Sequence, residues 1–554
     1  MPAPTPAPAP SFAELFTPKL VTILREGYGP RQLRADALAG LTVAIVALPL
    51  SMAIAIASGV SPAQGLVTAI VGGFLVSALG GSRFQIGGPA GAFIVLVAAT
   101  VSAHGIAGLV LAVFLSGFML AAIGFLRLGA YIKFVPYPVT VGFTAGIAII
   151  ILASQIKELF GLTLPGPEPG ALAQKLPMLW SAAANWNLAS AAIAAATIAT
   201  IFLVRRWRPH WPGLLIAVCG SALAAAALHL PVDTIGSRFG ALPHFLPAPR
   251  LPAFSIELAI AVLPSAVSFT LLGAIESLLS AVVADGMTGR RHRSNCELVA
   301  QGAANIGSAL FGGICVTGTI ARTATNVRAG AHGPAAGMLH AAFLLLFMLV
   351  AAPLAAFIPM AALAGVLVTV AWNMIERPAI ASLLRASRGD AAVLLATFGL
   401  TIFRDLTEAI VVGFALGSVL FIHRMSQTTA VSETPFVFED QADESGRPAY
   451  ESGAVTDPSI VIYRISGAFF FGAAASIGAV LDRIGEAHRA LIVDFSAVPF
   501  VDSTAAYTVN GLAKSAAKHG VALYLTGTTP ELRRELAAHG IGPAQVNYKA
   551  TIER

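Results

Sequence analysis

The stretch TGTIARTATNVRAG, residues 317–330, is the most informative part of this chain, because it places a charged side chain, Arg322, between two apolar segments. A helix over these residues would be about 20 Å long at about 1.5 Å per residue, whereas the hydrocarbon core of a bilayer is about 30 Å thick. Ionisable side chains inside a membrane are costly and are usually functional or paired. The stretch therefore predicts a half-helix that ends within the bilayer and carries a functional arginine.

The composition of the whole chain indicates a polytopic membrane protein. Its 554 residues are 56% hydrophobic and 11% charged, whereas soluble domains carry roughly 25% charged residues. The Pro/Ala-rich start, MPAPTPAPAPS, predicts a disordered tail and not a signal peptide. Cys219, Cys296 and Cys315 lie in or beside apolar segments without metal-ligand spacing, so the sequence predicts neither a metal site nor a cofactor.

The apolar segments predict fourteen membrane spans, since about 20 residues cross the hydrocarbon core. Their predicted ranges are 37–58, 62–80, 89–102, 106–126, 136–156, 187–204, 211–230, 258–285, 295–312, 318–329, 334–352, 359–374, 391–402 and 406–425. If the N-terminus is inside, most basic residues of the connections fall on the cytoplasmic side, among them Arg205, Arg206 and Arg290. The net charge of +6 is therefore interpreted as an orientation signal, with both termini cytoplasmic, and not as a sign of nucleic-acid binding.

A second short segment, GPAGAFIVLVAATV at 88–101, matches the first in position and in chemistry. Pro89 suits the first position of a helix, and Thr317 and Thr319 suit a helix cap. Each segment stands third in its half of the chain, and short, interrupted spans at matching positions predict an inverted-repeat transporter with a site near the bilayer midplane. The alternative is a pair of loops or re-entrant hairpins without a site.

The ends of the two half-helices predict an anion site. A helix N-terminus carries unpaired N–H donors and a partial positive charge, so two such ends facing each other attract an anion without any side-chain ligand. Arg322 adds a full charge and donors suited to oxyanions, and the hydroxyls of Thr317 and Thr319 are further candidates. The alternative is that Arg322 only belongs to a structural ion pair.

A second intramembrane charge, Glu276, lies about 21 Å along a helix from the basic cluster at Arg290. A carboxylate removed from water binds a proton more readily, which makes Glu276 a candidate proton site. With Ser280 one turn away, it could instead ligate sodium. A fixed salt bridge between Glu276 and Arg322 is the third interpretation.

The remaining polar residues indicate structure more than chemistry. One polar helical face in NCELVAQGAAN is expected to form interhelical hydrogen bonds: Glu297, Gln301 and Asn305. No Ser/His/Asp order, P-loop or Walker pattern occurs, so we do not expect an enzyme or an ATP-driven pump.

After Arg424 the composition changes to the polar, acidic stretch SETPFVFEDQADESGRPAYESG. Strand-like segments (SIVIYRISG, ALIVDFSAV, VALYLTG) then alternate with helical patterns, which predicts a small cytoplasmic α/β domain with a largely parallel sheet. The expected organisation is an N-terminal cytoplasmic segment at 1–35, a transmembrane transport domain at 36–425, a linker at 426–433 and the α/β domain at 434–554.

Four longer stretches are distinctive: DALAGLTVAIVALPLSMAIAIASGVSPAQGL, IGGPAGAF, ESLLSAVVADGMTGRRHRSNCELVAQGAANI and FGGICVTGTIARTATNVRAGAHGPAAG. Together they resemble the SulP anion-transporter family, which includes sulfate permeases, prestin and pendrin. The C-terminal LIVDFSAVPFVDSTA resembles the STAS domain which that family carries. The resemblance implies an α-helical membrane protein with fourteen spans in a seven-plus-seven inverted repeat, a core domain that moves against a gate domain, and a homodimer.

The resemblance also implies which residues bind the anion. They are Pro89, Ala90 and Gly91 at the third span, Thr319, Ile320, Ala321 and Arg322 at the tenth, and Leu50 and Ile54 in the first. Prestin-like members have a serine where Ala321 stands, an aromatic residue where Ala90 stands, and a glutamine and an aromatic residue at the first-span positions. This pocket therefore relies on backbone N–H groups and Arg322.

For coupling, Glu276 matches the family's coupling carboxylate, but as glutamate and not aspartate, and Ile320 replaces a hydroxyl residue of a sodium-coupled bicarbonate member. Both favour protons over sodium, with uncoupled exchange as the third possibility. In regulatory STAS proteins the serine matching Ser503 is phosphorylated, and a phosphate is favourable at a helix N-terminus. An ordinary helix cap by Asp502 is the simpler interpretation.

We therefore expect a multi-pass protein of the inner (cytoplasmic) membrane that transports a small oxyanion by alternating access. Sulfate is the first candidate, with bicarbonate or a C4-dicarboxylate next. Alternatives are an anion channel or a non-transporting, voltage-responsive motor, a sodium-coupled bicarbonate symporter, a nucleobase permease, and an anion sensor that signals through the C-terminal domain.

Overall fold

The protein is described here from a computed structural model, which places residues 11–129, 135–166, 169, 172–208, 211–404, 406–433, 460–474 and 489–550. The chain divides into two compact units, Met1–Phe414 and Ala415–Arg554. The first unit is helical and the second contains a β-sheet.

The first half of the helical unit begins with two short helices, α1 (Phe12–Phe16) and α2 (Lys19–Gly27). There follow α3 (Pro30–Ala57), α4 (Pro62–Leu79), strand β1 (Gly87–Gly88), α5 (Ile94–Phe125), α6 (Tyr137–Phe160), α7 (Leu172–Ala182), α8 (Leu188–Trp207) and α9 (Gly213–Ala227). A 3₁₀ turn, Gly91–Phe93, precedes α5. Gly105 interrupts α5 with φ 66° and ψ −174°, a conformation that glycine adopts at low cost, so α5 consists of two successive helices.

The second half repeats this pattern. It contains α10 (Ile235–Phe239), α11 (Ile256–Thr288), α12 (Ser294–Leu310), strand β2 (Thr317–Gly318), α13 (Ile320–Arg328), α14 (Ala335–Ala355), α15 (Met360–Met374), α16 (Arg377–Ala386), α17 (Arg388–Phe403) and α18 (Leu406–Thr428). Among the described residues, nine helices are long and apolar enough to cross a membrane.

Each of the fourteen predicted spans coincides with a helix or, in α5, with one half of a helix. The first span begins earlier than expected, at Pro30, where proline occupies a favourable first helical position. The hydropathy pattern missed α1, α2, α7, α10 and α16, because such helices are short and, as α2 and α16 illustrate, have apolar residues along one side only.

Two groups of helices pack within this unit. In one, α5 packs against α11 and α12, α3 packs against α14, and α13 lies against α11 and α3. In the other, α6 packs against α15 and α17, and α8 packs against α9 and α15. The first group holds spans one to four and eight to eleven. This is the core and gate division that the family resemblance implies.

The second unit contains a five-stranded sheet in the order β3-β4-β5-β6-β7. The strands are β3 (Ala430–Glu433), β4 (Ile460–Ser466), β5 (Ala490–Ala497), β6 (Ala522–Thr526) and β7 (Asn547–Tyr548), and helices α19 (Ser503–Lys518) and α20 (Pro530–Ala538) lie between them in sequence. Only β3 runs antiparallel to its neighbour, so the described sheet is largely parallel, as predicted.

The expected linker at 426–433 is wrong. Helix α18 continues to Thr428, and residues 430–433 form β3, which pairs with β4. Ile422 and Met425 of α18 pack against the apolar core of the second unit. The polar residues after Arg424 concealed this continuity, because an edge strand needs few apolar side chains. Most of the acidic stretch, residues 434–453, lies outside the described residues.

Candidate functional site

The two short segments meet directly in space. Strands β1 and β2 pair antiparallel, with Gly87 opposite Gly318 and Gly88 opposite Thr317. The amide of Thr319 extends this ladder by donating to the Ile86 carbonyl at 3.0 Å. We call the pair of strands β1 and β2 the crossing. Because the helical turns at Gly91 and Ile320 begin shortly after the paired residues, both helix N-termini start at the crossing.

Glycine allows the two segments to approach so closely. A Cβ atom at Gly318 would overlap the Gln85 side chain, and a Cβ atom at Gly88 would overlap Nη1 of Arg322. The GG and TG dipeptides are therefore required by the space at the crossing, and a side chain at either position would displace a polar partner.

Arg322 lies behind the crossing and is almost completely buried, with 2% of its surface exposed. Its Nη2 donates to the Pro89 carbonyl at 3.1 Å and to Ser51 Oγ at 3.3 Å. Nε and Nη1 are buried without a hydrogen-bond partner. Among the described residues no carboxylate forms an ion pair with Arg322, so the salt bridge with Glu276, the third interpretation of that residue, is not formed. The positive charge is therefore available to an anion.

The amide end of α13 is open, whereas the residues beside it on α3 are packed. Ile320 is 40% exposed and Ala321 is exposed, and the first N–H groups of a helix have no acceptor within the helix. Gly91 is partly exposed, and a Cβ placed there would find only Ile151 and Met374, both at 3.7 Å. The N-terminus of α13 is therefore accessible to a small ligand, and Gly91 faces the second helix group.

The first-span residues contribute shape instead of polar contacts. Leu50 and Ile54 are buried and belong to the same apolar cluster as Ala90. Their neighbour Ser51 accepts a hydrogen bond from Nη2 of Arg322 at 3.3 Å. The pocket side chains are thus apolar, as the sequence indicated, and one serine was overlooked.

The threonine hydroxyls serve the crossing itself. Thr317 Oγ1 donates to the Gly273 carbonyl at 3.2 Å, and Thr319 Oγ1 donates to the Ile86 carbonyl at 3.3 Å. A hydroxyl has one proton to donate. In this conformation both hydroxyl protons are therefore used within the crossing, and the backbone N–H groups are the remaining donors.

Glu276 lies between two residues of α11, Gly273 and Ser280, that form hydrogen bonds with β2 and α13. Gly273 accepts from Thr317, and Ser280 Oγ is 3.0 Å from Thr323 Oγ1 on α13. The Glu276 side chain is partly exposed, and among the described residues it has neither a hydrogen bond nor a salt bridge. Ser280, by contrast, is completely buried and already hydrogen-bonded, so the two side chains do not form a common cation site here.

A buried polar network supports the crossing from the other side. Glu297 accepts hydrogen bonds from Gln85 Nε2 at 2.8 Å and from the Ser82 amide at 3.0 Å. Asn305 holds the chain before β2 through the amide of Val316 at 3.0 Å and its carbonyl at 2.9 Å. The NCELVAQGAAN face is thus structural, as expected, and its partners in the loops could not be foreseen from helical periodicity.

In the C-terminal unit, Asp502 caps α19 by accepting from the Ala505 amide at 2.8 Å and also accepts from the Phe471 amide at 2.9 Å. Ser503 is exposed at the first position of α19. The cap interpretation of Asp502 describes these contacts. Groups of three or more potential metal ligands do not occur among the described residues.

The comparisons with known proteins agree with this architecture. Residues 33–397 match the model of the sulfate permease family, and residues 453–553 match the STAS domain. The putative sulfate transporter YvdB of Bacillus subtilis is 36% identical over 93% of this chain and 95% of its own length.

Two solved structures are similar in fold. Murine Slc26a9, an anion transporter in the inward-facing state, aligns with a TM-score of 0.85 over 99% of this chain and 94% of its own, at 18% identity. The transmembrane domain of a cyanobacterial bicarbonate transporter, BicA, aligns with a TM-score of 0.63 over 69% of this chain and 98% of its own, at 32% identity. The resemblance in the sequence and the predicted fold class are confirmed.

Proposed function

Because the chain belongs to the sulfate permease family, whose members are anion transporters and not enzymes, we propose that it is a secondary active transporter of a small oxyanion. The observation that carries this proposal is the pairing of β1 with β2, which brings two helix N-termini and the buried Arg322 to one place. An anion there would receive N–H donors from both half-helices within reach of a guanidinium charge.

The anion site, as we propose it, uses backbone groups for binding and Arg322 for charge. The amides at Ala90 and Gly91 face it from one half-helix, and those at Ile320 and Ala321 from the other. Such donors accept any compact oxygen face, which suits sulfate first and bicarbonate or a C4-dicarboxylate next. The names of relatives, a putative sulfate transporter and a bicarbonate transporter, support the same substrate class.

Transport then proceeds by alternating access. Helices of the first group carry the crossing, and Gly91 faces Ile151 of α6 and Met374 of α15 from the second group. A shift of one group against the other would expose the bound anion first on one side of the membrane and then on the other. The two half-helices move together with the anion site between them, because β1 and β2 are hydrogen-bonded to each other.

We assign proton coupling to Glu276. It lies on α11, whose Ser280 is hydrogen-bonded to Thr323 of α13. Among the described residues Glu276 has no cationic partner, and its side chain is partly exposed, so a proton can reach it. A protonated Glu276 would remove a negative charge near the anion site and favour anion binding. Sodium coupling, the alternative, would require Ser280 to turn from Thr323 toward Glu276.

We propose that the protein resides in the inner (cytoplasmic) membrane as a homodimer, with both termini in the cytoplasm. The distribution of basic residues supports this orientation, and thiol labelling of single cysteines from either side would test it.

The test of function is uptake into proteoliposomes from a panel of sulfate, bicarbonate and succinate, with an inward proton gradient, an inward sodium gradient or neither. We expect saturable accumulation of one of these anions, driven by the proton gradient. Accumulation driven only by sodium would contradict proton coupling. A conductance in planar bilayers without saturable, gradient-driven uptake would contradict a transporter and indicate a channel or motor.

Two variants test the named residues. Arg322→Gln removes one buried charge and should reduce uptake about tenfold or more, since a hydrogen bond to a charged group contributes about 1.5–3 kcal/mol. The matched control is Arg328→Gln, at an exposed arginine of the same helix, which should transport normally. Glu276→Gln should abolish accumulation driven by the proton gradient while anion exchange continues.

A further inference from the structure

His340 of α14 is a buried ionisable group that has no role in the function proposed so far. The residue is completely buried, and both ring nitrogens, Nδ1 and Nε2, lack a hydrogen-bond partner. Buried polar atoms are hydrogen-bonded in the great majority of cases, and exceptions often mark a functional group or a site of ordered water. An imidazole could be replaced by an apolar side chain of similar size if it only filled space.

The surroundings of His340 show how it reaches this position. Helix α14 approaches α3 so closely that a Cβ at Gly40 would lie 3.0 Å from the His340 amide nitrogen. On α4, a Cβ at Gly73 would lie 3.8 Å from His340 Cε1 and 2.9 Å from the Gly87 carbonyl of β1. The imidazole therefore lies directly behind the first strand of the crossing, separated from it by a glycine.

Helix α13 carries further buried polar atoms without partners. Nε and Nη1 of Arg322 are buried and unpaired, and so is Oδ1 of Asn326, one helical turn farther along α13. Arg322 offers donors, Asn326 offers an acceptor, and a neutral imidazole offers one of each. These complementary groups can be joined by bridging water, which would connect His340 to Arg322.

Few charged groups face His340. Helix α4 contains none, and α13 contributes Arg322, whose Nη1 lies against Gly88 of β1, next to the Gly87 that His340 lies behind. The carboxylate of Asp36 on α3 is already engaged by the Tyr28 hydroxyl at 2.6 Å and by the Gly333 amide at 3.0 Å. The charge of Arg322 is thus the one that an additional proton on His340 would encounter.

We propose that His340 is a second proton-binding group of the transport cycle, linked to anion occupancy through Arg322. With the anion site empty, a proton on His340 would add a second positive charge beside Arg322 in a low-dielectric interior, which is unfavourable. An anion bound at the crossing neutralises Arg322 and removes this repulsion. Histidine is the side chain suited to exchanging a proton between about pH 5 and 8.

Linkage makes the effect reciprocal: if the anion favours protonation of His340, protonation of His340 favours the anion by the same factor. This inference depends on the proposed anion site and extends it, because it adds a proton to the one assigned to Glu276. Two carriers of protons would make the pH dependence of anion binding steeper than a single carboxylate allows.

The test uses sulfate binding to the full-length protein in lipid nanodiscs, measured by calorimetry in buffers of different ionisation enthalpy. This measurement gives both the affinity and the protons taken up. Glu276→Gln provides the background, so that the remaining proton uptake belongs to other groups. In this variant we expect sulfate affinity to rise about fivefold or more from about pH 8 to about pH 5.

Adding His340→Gln to this background should reduce the change in affinity to less than about twofold and abolish proton uptake. Glutamine keeps a polar side chain but cannot titrate, and His340→Asn serves as a second, smaller replacement. His104→Gln, at another histidine of the helical unit, is the control and should behave as the background does.

Unchanged proton uptake after His340→Gln would overturn the role of His340 and leave the anion site intact. The absence of proton uptake in the Glu276→Gln background at every pH would overturn it even if the histidine variants failed to fold. A wild-type protein that binds no sulfate while transporting no anion of the panel would overturn the proposed function and this inference together.

Discussion

At the scale of single residues, Arg322 is the side chain on which the account depends. A buried guanidinium with only two hydrogen bonds, one to a carbonyl and one to a hydroxyl, is unusual in a membrane interior, where an unpaired charge is costly. Ion pairs normally satisfy such groups, and none does so among the described residues. The arrangement is explained if an anion held by the backbone amides of the two half-helices neutralises the charge of Arg322 during transport.

Gly88→Ala tests whether the position of this guanidinium matters. The new methyl group would overlap Arg322 Nη1, so the arginine side chain would have to move away from the Pro89 carbonyl. We expect anion affinity to fall about tenfold or more, the loss of one charge-assisted hydrogen bond. Binding measured by calorimetry on the purified variant gives the result.

Gly220→Ala is the matched control, because a Cβ at Gly220 would meet nothing within 4 Å. If both alanine variants bound the anion like the wild-type protein, the contact between Gly88 and Arg322 would not be needed for binding.

At the scale of elements, the crossing is held by partners that lie far away in sequence. Asn305 in α12 satisfies both the amide and the carbonyl of Val316, the residue before β2. Gln85 reaches Ser277 of α11 at 2.8 Å. These contacts fix the register of β1 and β2, and the register determines where the two helix ends point.

Asn305→Leu should loosen β2 without touching the anion site. It leaves two buried backbone groups unpaired, at about 1–3 kcal/mol for each, so we expect lower thermal stability. Amide hydrogen exchange at Val316 and Thr317 should also become faster.

The comparison variant is Gln301→Leu, on the same face of α12. Its Oε1 has no partner, and its Nε2 makes only a long hydrogen bond of 3.4 Å to Glu297. Equal effects of the two substitutions would indicate a general destabilisation of α12 and not a specific loss of the hydrogen bonds between Asn305 and Val316.

The sequence predicted the elements better than it predicted their contacts. The short spans near Pro89 and Arg322 were visible because hydropathy and helix length can be read along a chain. Ser51 was not, since a hydroxyl in an apolar helix usually bonds to its own backbone, as Ser51 also does with the Ala47 carbonyl. The hydrogen bond that Thr319 donates within the crossing could not be predicted either, because its acceptor is a carbonyl more than two hundred residues away.

At the scale of the whole molecule, the chain consists of a helical unit and a C-terminal α/β unit with its own apolar core. In the second unit, Asp494 on β5 links its strand to both neighbouring strands, β4 and β6. Its carboxylate accepts from Arg464 Nε on β4 at 2.8 Å, from the Ser496 amide at 3.0 Å and from Thr526 Oγ1 on β6 at 3.2 Å.

Asp494 should make the stability of the C-terminal unit depend on acid pH. Burial opposes ionisation, but the hydrogen bonds from Ser496 and Arg464 outweigh it and hold the pKa of Asp494 below its usual value. The stabilisation is therefore fully present above the ordinary aspartate pKa of about 3.9 and is lost as pH falls through the lower folded value.

Asp494→Asn should remove this pH dependence and lower stability at neutral pH. Hydrogen exchange in β5 and β6 of the full-length protein, followed from about pH 7 downward, measures it. Exchange in the helical unit serves as the internal control. An unchanged acid response in Asp494→Asn would assign the pH dependence to other carboxylates.

We expect the transported anion to bind at the exposed N-terminus of α13. The most direct measurement is protection of a single cysteine, Ala321→Cys, from a charged thiol reagent in a Cys219→Ser background, since Ala321 is exposed while Cys296 and Cys315 are buried. We expect the transported anion to slow modification, with a half-effect at the concentration that half-saturates uptake. A transported anion that leaves the modification rate unchanged at saturating concentration would contradict the account.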